Sequence, residues 1–151
     1  GQHDCRDLDN LLGHLVKNDY NMVIGSRFIT KGGFQSTFAR RIGIVYFSKV
    51  IRLLTGTTIT DPTSGYRMCD KEVIKIFACD YPTDYPEPES IVSILKQGLR
   101  VGETEAKMKE RQGGVSSINS PKAVYYMIKV SLAIIMTALA QGKAKKRRAR
   151  A

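Results

Sequence analysis

Apolar residues fall along this chain at two spacings, one helical and one alternating, with glycine and proline between them. Leu8, Leu11, Leu12 and Leu15 recur at helical spacing, and Asp4 stands where an N-cap belongs. YNMVIGS, Tyr20 to Ser26, reads as a short buried strand that ends in a turn, and the glycines of KGG mark a loop. From about Ser36 to Leu54 a longer helix is predicted. Phe38, Ile42, Val45, Tyr46, Val50, Leu53 and Leu54 form its apolar stripe, expected to pack, with Arg41, Ser48 and Arg52 lying away from it. TGTTITDPTSG reads as a loop, YRMC as a short strand, DKEVIKIFA as a helix opened by Asp70, and DYPTDYPEP as a proline-punctuated loop. Glu89 to Gln97 resumes a helix, Leu99 to Met108 alternates like a strand, and RQGGVSS is a second flexible loop. Helices and strands alternate without an internal repeat, which predicts an α/β class.

The last apolar stretch, AVYYMIKVSLAIIMTALA from Ala123 to Ala140, is interrupted by Lys129 and leaves an unbroken run of 11 residues. A spanning helix wants about 20. Interfacial attachment, or burial in a groove, is therefore favoured over a crossing, with a plain core helix as the other reading. Lys122, Lys129, the tyrosine pair and the tail suit a headgroup layer. Charge sharpens the picture. The chain of 151 residues carries a formal +10, of which six belong to the tail KAKKRRAR, leaving +4 for the rest. Such a run attracts an anionic surface, nucleic acid or membrane, or stays a solvated disordered tail. Neither zinc-finger spacing nor an RNP-like aromatic motif occurs, so no specific nucleic-acid partner is expected. Three cysteines without CxxC spacing, and two histidines, make no zinc cluster and fit reduced thiols.

VIGSRF with KGG, then DPTSGYR, YPEPE and RQGGVSS, in this order, resembles the family 2 glycosyltransferases of the GT-A fold. The likeness is greatest to the branch of dolichol-phosphate mannose synthase and the polyprenyl-phosphate glycosyltransferases. The resemblance runs from Gly1 to about Ile118. It implies three parts: 1–118 as the acceptor-side part of a GT-A domain, 119–141 as an apolar membrane-associated helix, and 142–151 as a basic disordered tail. In that branch a segment like DADGQHD carries the metal-binding DxD, and GQHD here matches its end. The two aspartates would then precede Gly1, together with the half that holds the nucleotide. The expectation is a fragment inactive by itself.

The resemblance implies transfer of a sugar from a nucleotide sugar to a polyprenyl phosphate or another lipid-linked cell-envelope acceptor, with inversion. The setting is the cytoplasmic face of the cell membrane, with a small membrane protein as a further expected partner. Mg²⁺ or Mn²⁺ would offset charge on the leaving diphosphate, with Gln2 matching a third ligand through its carbonyl oxygen. Arg27, with Arg40, Arg41 and Ser64, would border the acceptor phosphate, since guanidinium forks match phosphate oxygens; otherwise these arginines are a solvated basic face. Asp61 and Glu89 are the catalytic carboxylates so implied. Asp61 is also an ordinary turn former, and Glu89 aligns with the family's base or simply starts its helix. A phosphate acceptor is already an anion near neutral pH and needs cations more than a base. Arg111, on the glycine-hinged RQGGVSS, would reach the donor diphosphate, or lie on a plain surface loop. The alternative to an enzyme is a non-catalytic basic module that binds membrane or nucleic acid.

Overall fold

The computed structural model describes residues 7–30, 38–107 and 120–148. In chain order the elements are α1 (Asp7–Lys17), β1 (Met22–Ser26), α2 (Phe38–Thr55), β2 (Arg67–Cys69), α3 (Lys71–Cys79), α4 (Pro86–Gln97), β3 (Val101–Glu105) and α5 (Ser120–Arg148). The α/β class follows directly from that order.

β1 is the middle strand of a three-stranded sheet in the order β2-β1-β3. It runs antiparallel to β2, with Met22 opposite Cys69 and Ile24 opposite Arg67. It runs parallel to β3, from Met22 opposite Val101 to Ser26 opposite Glu105. A parallel pair needs a long crossover, supplied here by the chain through α2, α3 and α4. Helices lie on both faces, so all five residues of β1 are buried, and its sequence reads as a run rather than an alternation. The strand period still sorts the side chains. Met22 and Ile24 join the main core with Ile51, Ile91, Ile94, Val130 and Ile134 from α2, α4 and α5. Val23 between them points to the opposite face, where α1 lies and buries Leu11.

Two glycines are required by close approach. A Cβ on Gly25 would lie 2.7 Å from a Tyr66 ring carbon and 2.8 Å from the Ala106 Cβ, and one on Gly102 would lie 2.3 Å from the Tyr20 ring. Both neighbours would have to move. Helix ends follow local chemistry: Asp70 caps α3 by accepting from the Val73 backbone N–H at 2.8 Å, as its position predicted. Gly98, at φ 92°, closes α4 in the left-handed conformation.

Several expectations shift. α4 begins at Pro86, three residues before Glu89, because a proline in the first turn loses no intrahelical hydrogen bond. β3 is shorter than the alternation suggested, and Met108 lies outside the described residues, as do Asp4 and the RQGGVSS loop. The largest correction concerns α2. Its packed face is Ile44, Phe47 and Ile51, with Val50 and Leu54 partly buried, whereas Phe38 is 79% and Leu53 86% exposed, and Ile42 and Val45 also face outward. Apolar residues surround much of this helix, so periodicity alone did not select the side that α4 and α5 cover. α5 buries Val130, Ile134 and Ala138 in the same core as β1, and so shares one core with the expected catalytic part. It continues to Arg148, into the segment expected to be a disordered tail. No helix among the described residues is long and apolar enough to cross a membrane.

Candidate functional site

The chain leaves β1 at Ser26, and the next residue turns inward. Arg27 donates from Nε to Asp61 Oδ2 and from Nη2 to Asp61 Oδ1, both at 2.6 Å, and its backbone N–H reaches Oδ2 at 3.2 Å. Nη2 also donates to Thr63 Oγ1 at 2.9 Å. Asp61 is fully buried and Arg27 is 7% exposed. The fork thus serves an internal carboxylate, an arrangement worth retaining only when both charges are fully paired. Ser64 is also buried, donating to the Gly25 carbonyl at 2.7 Å and accepting from the Tyr66 N–H. It ties the loop between Asp61 and Gly65 to the end of β1.

Glu103 of β3, which sequence reading did not single out, holds the same loop from below. Its carboxylate accepts from the Thr60 N–H at 2.7 Å, the Asp61 N–H at 2.9 Å and the Thr60 hydroxyl at 3.2 Å. Since Thr60 gives its proton to Glu103, the Ser26 hydroxyl donates to Thr60 Oγ1 at 2.8 Å, and Ser26 in turn accepts from the Phe28 N–H. Burial pushes Glu103 above the ordinary carboxylate range, and those donors hold the rise in check. The only trace in the sequence was a carboxylate in a strand flanked by buried positions.

Arg67, at the start of β2, is a second unforeseen contributor. Its guanidinium is satisfied by neutral oxygens: Ser64 O at 2.8 Å, Ser90 Oγ at 2.6 Å, Glu87 O at 2.7 Å and Pro62 O at 3.3 Å. Burial lowers its pKa, and Glu87 acts in the other direction. It joins the Asp61 loop to the first turn of α4, placing Glu87 beside that loop.

Glu89 Oε1 is buried and has no hydrogen-bond partner among the described residues. Burial, reinforced by Asp84, raises its pKa above the ordinary 4.5, with a backbone hydrogen bond at Tyr85 opposing. The folded state therefore binds this proton more tightly than the unfolded chain. Stability from this group is greatest at low pH and falls as pH rises from about 4.5 through the raised native value. Glu89→Gln should flatten that dependence. In melts across pH, the variant should match the parent below the window and exceed it at neutral pH; superimposable curves throughout would show a solvated carboxyl.

The adjacent arginines of α2 diverge. Arg40 lies near enough to Tyr126 of α5 to act on its phenol electrostatically, whereas Arg41 lines the cavities on the outer side of the helix. One cavity, of about 350 Å³, is bounded by Phe28, Arg41, Ile44, Val45, Ser48, Lys49 and Thr60. Two cations and two hydroxyl-bearing side chains thus border an apolar hollow, next to the buried pair: Arg27 Cζ lies 5.4 Å from the Phe28 ring centroid. Lys49 was not anticipated, although it follows Arg41 by eight residues and so shares its face. The structure brings Arg27, Asp61 and Ser64 together and sets Arg41 beside them; Arg40 and Glu89 stand apart from this hollow.

Gln2 and Arg111 lie outside the described residues. Among the described residues no three His, Cys, Asp or Glu side chains converge as metal ligands.

Over 110 residues the chain is 31% identical to an uncharacterized protein of Methanocaldococcus jannaschii. The match takes in 71% of this chain and 45% of that protein. The chain thus spans less than half the length of its relative. No family model and no solved structure matches it.

Proposed function

We propose that this chain is the acceptor-side part of a GT-A, family 2 glycosyltransferase, which transfers a sugar from a nucleotide sugar to a polyprenyl phosphate at the cytoplasmic face of the cell membrane. The observation that carries the reading is the hollow beside the end of β1, where Arg41 and Lys49 stand over Phe28, Val45 and Ile44. An isoprenoid phosphate has the same two-part chemistry, an anionic head on an apolar chain. The ordered motifs GSRF, DPTSGYR and YPEPE supply the reaction class.

In this reading Arg41 and Lys49 hold the acceptor phosphate. A phosphate oxygen attacks the anomeric carbon, the bond from that carbon to the donor diphosphate breaks, and the nucleoside diphosphate leaves with the bonding pair. The configuration inverts. The nucleophile is ionised near neutral pH, so cations orient it and no residue must remove a proton. Arg27 and Asp61 form the rigid floor beneath this site, because Arg27 Nε and Nη2 and both Asp61 carboxylate oxygens are engaged with each other and with Thr63. Their role is to position Phe28 and Thr60 at the hollow's edge.

Farnesyl phosphate should bind the chain more tightly than farnesol does. By calorimetry, Arg41→Gln should weaken the phosphate by about 10- to 100-fold, the loss of a charged hydrogen bond of ~1.5–3 kcal/mol, and leave farnesol unchanged. Equal affinity for alcohol and phosphate would remove the basis for this function.

A further inference from the structure

Anion sites commonly gather backbone N–H groups and hydroxyl protons. Around the hollow at the end of β1 those donors are already engaged. The Thr60 and Asp61 N–H groups go to the Glu103 carboxylate, the Arg27 N–H to Asp61 Oδ2 and the Phe28 N–H to Ser26 Oγ. Ser48 gives its hydroxyl proton to the Ile59 carbonyl at 2.5 Å. Thr60 has one proton and two inward partners, Glu103 Oε1 at 3.2 Å and Ser26 Oγ at 2.8 Å, so whichever of them accepts, that proton stays within the protein.

Two kinds of polar group are left to meet a ligand. Arg41 and Lys49 bring positive charge, and the Ser48 and Thr60 oxygens bring lone pairs. A fully ionised anion satisfies the cations but sets its own lone pairs against those hydroxyl oxygens. Cations and acceptors are satisfied together only by an anion that carries an O–H beside its charged oxygens. Both cations are exposed, so water screens their pull on a second charge, whereas a lone pair facing a lone pair makes no hydrogen bond at all. A phosphate monoester meets the condition, since its second pKa lies near about 6 and its singly ionised form keeps a P–OH. A sulfate monoester or a phosphodiester is a monoanion with no such proton near neutral pH.

We infer that Thr60 and Ser48 are specificity residues that select a phosphate monoester in its singly ionised form, accepting a hydrogen bond from its P–OH while Arg41 and Lys49 hold the ionised oxygens. The selection rests on the reading that this hollow takes the acceptor phosphate, and it separates substrate from product. An ionised oxygen of the monoester bonds to the anomeric carbon as the nucleoside diphosphate leaves with its electron pair. The P–OH of the resulting diester is strongly acidic, and its proton passes to water. The ionised diester has no proton to give Thr60 or Ser48, so the hollow holds the monoester more tightly than the diester formed from it. Glu103 is the positioning residue here: an ionised carboxylate accepts only, and it keeps the Thr60 proton turned away from the ligand.

The test is calorimetry of the full chain at about pH 7 with farnesyl phosphate, farnesyl sulfate and the diester farnesyl methyl phosphate, repeated in buffers of different ionisation enthalpy so that protons exchanged on binding are counted. With a second pKa near 6, the free monoester carries about 0.1 proton at that pH, so its binding should take up about 0.9 proton, and binding of the other two esters should take up none. Thr60 is exposed, so Thr60→Val should fold. It should weaken farnesyl phosphate about ten-fold, the scale of one hydrogen bond to a charged group, lower the proton uptake, and leave the sulfate and the diester within about two-fold. Ser48→Ala tests the same acceptance from α2, with the same expected pattern. Binding of farnesyl phosphate without proton uptake would overturn the selection, as would equal weakening of all three esters by Thr60→Val. In either case, Arg41→Gln weakening the three esters while sparing farnesol would leave the acceptor-phosphate reading standing. Three esters that bind no better than farnesol would overturn both.

Discussion

Asp61→Ala is expected to destabilise the protein by about 3–5 kcal/mol, the scale for stripping a buried charge of its partner. Arg27 would keep its charge at 7% exposure with only Thr63 and its ring contact to Phe28 for compensation. Arg27→Met leaves Asp61 buried and unpaired, and should cost a comparable amount. The double variant Arg27→Met with Asp61→Leu should lose less than the two single losses added, because both desolvation costs disappear together. Urea unfolding of the four proteins measures the coupling. Additive losses would mean that the 2.6 Å contacts carry no shared energy and that the floor of the site is held by other bonds, Glu103 to the Asp61 N–H among them.

The second large effect separates the acceptor classes, and is measured in protein competent for sugar transfer. With a phosphate acceptor, Arg41→Ala should lower kcat/KM for the acceptor about 10- to 100-fold at unchanged donor affinity, through loss of a ~1.5–3 kcal/mol charged contact. Glu89→Gln should then change kcat only slightly, since the nucleophile has no proton to lose. With a sugar hydroxyl as acceptor the ranking inverts, and Glu89→Gln should cost about 10² to 10⁴ in kcat, the usual worth of a positioned general base. Arg27 is a poor probe of the same question: its substitution disturbs the buried pair, so lost activity would mix phosphate binding with unfolding. Two fully active variants would place the acceptor away from both residues.

The neighbourhood of the site was legible before its geometry was. GSRF and DPTSGYR pointed to the end of a strand and a tight loop, and Arg27, Asp61 and Ser64 do meet there. What they do to each other was not legible, because their separation of more than 30 residues encodes no contact. Glu103 and Arg67 were missed for a related reason: each acts largely on backbone groups, Glu103 on amides more than 40 residues away and Arg67 on the carbonyls of Ser64 and Glu87, and such partners leave no side-chain signature in a sequence.

By itself, the sequence determined the alternation of helices and strands, the Asp70 cap, the apolar run of β1 and the absence of carboxylates from two long helices. These are local properties, set by side-chain volume, charge and hydrogen bonding within a few residues. Only the tertiary structure decided which side of α2 is covered, that Arg40 and Arg41 part company, and that Asp61 is the buried counterion of Arg27. A helix with apolar residues around most of its circumference satisfies periodicity in more than one orientation. The choice falls to the packing of α4 and α5 against Ile44, Phe47 and Ile51, and it leaves Phe38, Ile42 and Leu53 facing outward.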